Sequence, residues 1–446
     1  MMRTYARGSN IGGRVDITGP PVKAVFVERE PRFVPSPYLA QQPSPRLDWF
    51  RPAAAMAVPM QPLLWTGVAL VVAPFAFYTV FLGLLVTPFF QRHALYAHKI
   101  NTLLWSNVDQ PEAWGFASNQ VTPFRLDTPD GVSLYAWHVL PLPLYLKNEA
   151  ALASQPAQPP SRFEDTESFK ILKRDPEARL VLYFHGNAGH IAQAVRPDTY
   201  HSLTDTSSYH LIAIDYRGFG HSTGVPSEDG LITDASTVVD WAVNVAGIST
   251  SRIVLLGHSL GTAVVSGVAE RFALKGVEFA GIVLVSGFGD LASMLSGYRI
   301  GGIVPLLGPF AAWPRFVRLL DRFIVDKWHS ADRLTNIVRH TKSRLRLSLV
   351  HAKNDWDIPW TEDNKLFRAA ANETAGSLDD AEFAAWKEQR TVHKGKDAFV
   401  TTWKAAPDII IRQELFPFGG HDPINGFAPV SLAVMRSFDL HGTAYE

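Results

Sequence analysis

The chain has 446 residues, of which 47% are hydrophobic and 19% charged, with 42 Lys/Arg against 42 Asp/Glu and no cysteine. So few charges exclude a wholly disordered chain, and a net charge of zero supplies no field to gather a nucleic acid. Without cysteine there is no disulfide, thiolate zinc site, iron–sulfur cluster or cysteine nucleophile.

Residues 1–58 are rich in Pro, Gly, Arg and Gln and show no sustained periodicity. They read as a disordered basic tail, with eight Lys/Arg against four Asp/Glu. From Ala53 to Gln91 no residue is charged, and Leu63–Phe90 is almost wholly apolar. A helix needs about 20 apolar residues to cross a bilayer. Residues 59–91 are therefore expected to form one transmembrane helix, against the alternative of a buried helix in a soluble domain. The run starts too late and is too long for a cleaved signal. The basic tail favours a cytosolic N-terminus and a luminal or external catalytic part. Residues 92–114 are expected to link this helix to the catalytic domain.

Residues 115–446 alternate short apolar strands with helical stretches. Expected strands are Val121–Leu126, Ser133–Leu140, Arg179–Phe184, His210–Ile214, Arg252–Leu256, Gly281–Val285, Leu345–Val350 and Asp408–Phe416. Expected helices fall near Ile191–Leu203, Glu228–Val245, Leu260–Leu274 and Ala428–Phe438. Alternation of this kind predicts an α/β fold, a mostly parallel eight-stranded sheet with helices on both faces. No histidines cluster at ligand spacing, so no metal site is expected. Nothing in the sequence fixes an oligomeric state.

Gly257-His258-Ser259-Leu260-Gly261 joins the expected strand ending at Leu256 to the helix starting at Leu260. In that context G-x-S-x-G lifts a serine hydroxyl clear of the sheet on a tight turn, making Ser259 the candidate nucleophile. The plain alternative is a helix cap. Attack on an ester puts charge on the carbonyl oxygen, which two N–H donors can stabilise. The backbone N–H of Leu260 is one candidate. Asn187, in His185-Gly186-Asn187-Ala188-Gly189 after the third strand, is the other. His185 itself reads as structural.

The base must come from elsewhere in the fold, in the order Ser, acid, His. His421, in Phe418-Gly419-Gly420-His421-Asp422, lies between the last strand and the last helix. The acid that orients it is expected at Asp355, after the strand Leu345–Val350, with Asp357 and Asp290 as rivals. Residues 288–328 are too apolar for an exposed loop and fall where a lid would lie. Leu306, Leu307 and Phe310 are candidate substrate contacts there. The segment could roof an acyl chain, dip into a membrane surface or form an ordinary cap helix.

At these residues the chain resembles the membrane-anchored α/β-hydrolases of the alpha/beta hydrolase domain-containing protein 12 and Bem46-like type. The stretches LVLYFHGNAGH, AIDYRGFGHSTGVPSEDGLITD, VLLGHSLGTAVV, LVHAKNDWDIP and FGGHDP carry the likeness across roughly residues 115–440. The pattern His-x-x-x-Asp-x-x-x-Pro places the acid on Asp355, and Asp215 falls in a structural segment. The resemblance implies the α/β-hydrolase fold with a lid, one spanning helix, and serine hydrolase activity on lysophospholipids or monoacylglycerols. It also implies a single-pass protein of the endoplasmic reticulum with a luminal catalytic domain. Its partners are then the lipid ester and the bilayer, with no nucleic acid and no cofactor. Against it stand a protein acyl-thioesterase, a serine peptidase and a hydrolase-fold scaffold. The stretch Glu373–Asp408 lengthens the interval between acid and histidine and is read as an insertion.

Overall fold

The structure is a computed structural model describing residues 60–100, 107–156, 160–300, 304–307, 313–376 and 378–438. The chain divides into two units, residues 1–68 and residues 69–446. Of the first, only the helix from residue 60 is described.

Helix α1 (Met60–Leu85) takes its length from an uncharged and mostly apolar run. A turn at Thr87 ends that geometry, and Pro88 at the first position starts a second helix, α2 (Pro88–Tyr96). The stretch expected to be a linker is thus structured at its start. Tyr96 is fully buried, and its hydroxyl donates to Asp326 Oδ2 at 2.8 Å.

The sheet comprises β1 (Val121–Asp127), β2 (Ser133–Val139), β3 (Arg179–Phe184), β4 (Tyr209–Ile214), β5 (Ile253–His258) and β6 (Gly281–Val285). After a two-residue ladder, β7 (Arg299–Ile300) and β8 (Val304–Pro305), it continues with β9 (Leu345–Ala352), β10 (Thr391–His393), β11 (Phe399–Ala405) and β12 (Ile409–Phe416). The spatial order is β1-β2-β4-β3-β5-β6-β9-β12-β11-β10. From β4 to β12 every pairing is parallel, and the pairs at both edges are antiparallel.

Ten strands replace the eight expected. The added β10 and β11 form a hairpin from the Glu373–Asp408 insertion, which extends the sheet edge beyond β12. The eight expected strands appear with ends shifted by at most two residues.

Helices α3 (Leu142–Ala153), α4 (Glu167–Arg174), α5 (Arg196–Thr204), α6 (Glu228–Asn244), α7 (Leu260–Ala273), α10 (Ser330–His340), α11 (Thr361–Ala375), α12 (Asp380–Glu388) and α13 (Ala428–Ser437) surround the sheet. The lid region holds α8 (Leu291–Gly297) and α9 (Pro314–Asp321). Strand side chains alternate between two cores, as a period of two requires. Leu180, Leu182 and Phe184 join the core that holds α6, α7, α10 and α11. Val181 and Tyr183 join the one beneath α5 and α13. Both faces are covered, which is why the central strands read as continuous apolar runs.

Candidate active site

Ser259 stands between β5 and α7 with φ 53° and ψ −121°, a left-handed conformation for a residue that has a Cβ. The neighbouring glycines are required sterically. A Cβ on Gly261 would lie 1.9 Å from the Phe184 carbonyl oxygen, and one on Gly257 2.4 Å from that of Gly261. Close packing of strand, turn and helix therefore stores strain at the serine, a pattern common at functional sites.

The parallel strands carry the other groups to the same sheet edge. Loop 353–360 after β9 presents Asp355, and the loop after β12 presents His421. The two loops are tied together, because Gly420 N–H donates to Asn354 Oδ1 at 2.9 Å. His421 Nε2 lies 3.0 Å from Ser259 Oγ, and its Nδ1 lies 2.8 Å from Asp355 Oδ2. Asp355 Oδ1 accepts from the N–H groups of Asp357 and Ile358 at 3.0 and 2.9 Å. Its rivals have other places. Asp290 caps α8 through Ser293 N–H, and Asp357 lines the cavity rim without bonding the His421 ring.

Electrostatics suit a proton acceptor at His421. Burial opposes its charge, but Asp355 in contact, with Asp422 and Asp357 nearby, overcomes this and raises its pKa above the ordinary 6.5. Burial also opposes the charge on Asp355. The His421 and His351 imidazoles outweigh it and hold the carboxyl far below the usual range.

The loop after β3 approaches Ser259 closely, since a Cβ on Gly186 would lie 3.1 Å from the serine Cβ. Ala188 and Gly189 donate their N–H groups to the carbonyls of Tyr96 and Ile100. Among the described residues the Asn187 N–H has no such acceptor. Leu260 is the first residue of α7, so its N–H has no carbonyl one helical turn back. Both residues line one cavity with Ser259 and His421.

Arg196, at the start of α5, was not legible as a site residue. It is buried, and its guanidinium donates to the carbonyls of Gly186, Asn187, Ala188 and His190. The carbonyl and N–H of one trans peptide point in opposite directions. Fixing the Gly186 carbonyl on Arg196 therefore turns the Asn187 N–H away from the guanidinium. His258 was missed too. Buried and held neutral by that burial, it places Nε2 3.0 Å from the His421 carbonyl, a donation that steadies the histidine loop.

His185 is buried and donates through Nδ1 to the Gly186 carbonyl at 2.7 Å, a structural role. Asp215 accepts from Ile191 and His221 N–H groups, and burial pushes its pKa up to about 7.

The cavity is open to solvent and takes its apolar lining from Leu95, Phe288, Met294, Tyr298 and Ile358. Leu306 and Leu307 belong to the lid but do not line it, and Phe310 lies outside the described residues. Leu307 is buried elsewhere, and the Leu306 carbonyl accepts from Tyr78 of α1. The sequence could not tell which apolar lid residues turn toward the serine. His258, His421 and Asp422 group at metal-ligand distances, as do Asp355, Asp357 and His421. Both groups need His421, whose ring nitrogens already face Ser259 and Asp355.

The alpha/beta hydrolase family matches residues 180–426, more than half of the chain. The chain belongs to the alpha/beta hydrolase family. It is similar to Protein ABHD12B of Homo sapiens, 32% identical over 250 residues, which cover 56% of this chain and 62% of that protein. It is also similar to the lysophosphatidylserine lipase ABHD12 of Danio rerio, 24% identical over 64% of this chain and 68% of the relative. The chain thus spans less than two thirds of the length of ABHD12B. Among solved structures, an alpha-beta hydrolase from Vibrio vulnificus covers 79% of this chain and 94% of its own length at 15% identity, with a TM-score of 0.48. The Pyrococcus furiosus esterase Pf2001 covers 76% and 95% at 14% identity, with a TM-score of 0.43.

Proposed function

We propose that this chain is a membrane-anchored serine hydrolase that cleaves the ester bond of single-chain lipids, lysophospholipids or monoacylglycerols, through an acyl-enzyme. The observation that carries the reading is the continuous contact from Ser259 Oγ through His421 to Asp355, set beside a loop that offers the Asn187 N–H. The names of the ABHD12 relatives support the lipid class.

In this reading Ser259 Oγ attacks the acyl carbonyl carbon as its proton passes to His421 Nε2. The oxyanion takes the N–H groups of Asn187 and Leu260. Collapse expels the alcohol, which receives the proton from His421. A water then attacks the acyl-enzyme by the same route and frees the fatty acid and Ser259. Asp355 holds the imidazole in the tautomer this needs.

The anchor would be α1. Within Leu64–Leu85 a stretch of 18 residues has a mean hydropathy of 2.3, and no residue of that stretch is fully buried. Twenty-six helical residues reach about 39 Å, enough for a bilayer core of about 30 Å. The basic tail is assigned to the cytosol and the catalytic domain to the lumen of the endoplasmic reticulum.

Fluorophosphonate labelling and fatty-acid release from lysophosphatidylserine and monoacylglycerol test the reading. Both should vanish in Ser259→Ala and His421→Ala, and Asp355→Asn should lose far more activity than Asp357→Asn. Labelling that survives Ser259→Ala would refute the nucleophile. Turnover of acyl-thioesters but not oxygen esters would replace the lipase with a thioesterase. Digestion of the catalytic domain from the cytosolic side would reverse the topology.

A further inference from the structure

Behind Asp355 lies a second histidine and a second aspartate that the reaction above leaves unused. His351, on β9, and Asp363, in the first turn of α11, are both at most 1% exposed. His351 Nε2 is 3.0 Å from the Ile358 carbonyl oxygen and 3.2 Å from Asp355 Oδ2, the oxygen that holds His421. A carbonyl only accepts, so Nε2 carries a proton. On the other side of the ring, Nδ1 is 3.2 Å from Asp363 Oδ1, an ion-pair contact off the hydrogen-bond line. Neither Nδ1 nor either Asp363 oxygen has a hydrogen-bond partner among the described residues.

A neutral ring would aim a lone pair at a buried carboxylate. A ring protonated on both nitrogens would instead lie between two carboxylates. Burial disfavours that charge, but Asp363 and Asp355 outweigh it and raise the His351 pKa to about 10.

We propose that His351 and Asp363 form a buried ion pair that positions Asp355 and tempers its pull on the proton of His421. The proposal rests on the assignment of Ser259, His421 and Asp355 to catalysis. Asp355 Oδ2 is shared by two imidazoles, one permanently cationic and one that must gain and lose a proton in each turnover. The fixed cation offsets part of the carboxylate's charge, so His421 stays basic enough to accept the serine proton yet releases it to the leaving alcohol. His351 also braces the loop, since it binds the Ile358 carbonyl while Asp355 binds the Ile358 N–H.

The charged neighbours are few. Asp422 and Asp357 act on His421, and His421 in turn acts on His258, which burial keeps neutral. Lys387 of α12 faces Asp363, with burial lowering its pKa to about 8. This brings the Glu373–Asp408 insertion into electrostatic reach of the site.

The test is the pH dependence of kcat/KM for p-nitrophenyl butyrate with the full-length protein in detergent, from about pH 5 to about pH 9. In Asp363→Asn the near cation is lost with the far anion, and the near one dominates. The acid limb should move up by about half a unit to one unit, a loss of about three- to tenfold below pH 6 with little change on the plateau. His351→Gln with Asp363→Asn, which removes the buried cation and its far anion together, should show the same shift. A limb that stays put or moves down, whatever the plateau, overturns the proposal. The unmodified chain gives a measurement independent of any variant. ¹⁵N-histidine NMR at about pH 7.5 should show His351 protonated on both nitrogens, and a neutral ring overturns the proposal. Wild-type turnover that does not need Ser259 would instead overturn the underlying catalytic reading, a failure the Ser259→Ala control identifies separately.

Discussion

At the scale of the residue, the site rests on side chains of unequal visibility. Ser259 and His421 stand in glycine-bounded motifs whose spacing shows in the sequence. Asp355 needed the pattern His-x-x-x-Asp-x-x-x-Pro, since Asp357 is only two residues away. Arg196 carries no signal at all, being one arginine inside the expected helix Ile191–Leu203. It matters because one guanidinium gathers four carbonyls of the loop that carries Asn187. Replacing it by Met keeps much of the volume but frees the loop. Loss of one oxyanion donor costs about 10²- to 10³-fold in kcat. Arg196→Met is therefore expected to lower kcat by about 10²-fold with KM nearly unchanged, in steady-state kinetics on a short ester. A rise in KM with kcat preserved would assign Arg196 to substrate binding instead.

At the scale of the element, strands buried on both faces were legible because their residues cannot be mistaken for a polar surface. Helices α6, α7 and α13 were legible for the same kind of reason, since each carries an apolar stripe onto the sheet. The hairpin of β10 and β11 was not. At the sheet edge most of its side chains are partly or fully exposed, so the period-two signal is faint. Helix α5 starts at Arg196 rather than near Ile191, because Pro197 belongs in a first turn.

The lid shows the same limit. Its apolar content was plain, but the direction each residue faces was not. Phe288, Met294 and Tyr298 reach the cavity, whereas Leu306 and Leu307 do not. An acyl chain transferred from water gains about 0.8 kcal/mol per CH₂. Phe288→Ser with Met294→Ser should therefore flatten the rise of kcat/KM with acyl length while sparing acetyl esters. Leu306→Ser with Leu307→Ser should keep the rise, although burial of Leu307 predicts a lower melting temperature. The reverse pattern across a homologous series of p-nitrophenyl esters would move the acyl pocket to the lid tip.

At the scale of the whole molecule, the boundary between the proposed anchor and the enzyme is not where hydropathy puts it. The apolar run ends near Gln91, and hydropathy alone would make residues 92–114 a linker. Instead α2 and Ile100 bond to residues of the catalytic domain. Gln91 donates to the Phe323 carbonyl and accepts from Val325 N–H, which fastens the lid's far end to α2. Tyr96 is buried, and Asn187 Nδ2 reaches the Leu95 carbonyl at 3.4 Å. The carbonyls of Tyr96 and Ile100 take the N–H groups of Ala188 and Gly189, beside the proposed oxyanion donor. Two truncations separate anchoring from catalysis. A chain beginning at Thr87 loses α1 but keeps these contacts. It should leave the carbonate-resistant membrane fraction and still turn over a short ester at nearly the full-length rate. A chain beginning at residue 107 also loses Tyr96, and truncating a buried aromatic typically costs about 3–5 kcal/mol. It should melt at a lower temperature and lose about tenfold or more in kcat even where it is fully folded, because the loop holding Asn187 has lost two backbone acceptors. Equal kcat for the two truncations would show that the membrane-proximal segment is only a tether, and complete extraction of the intact protein at high pH would remove the anchor itself.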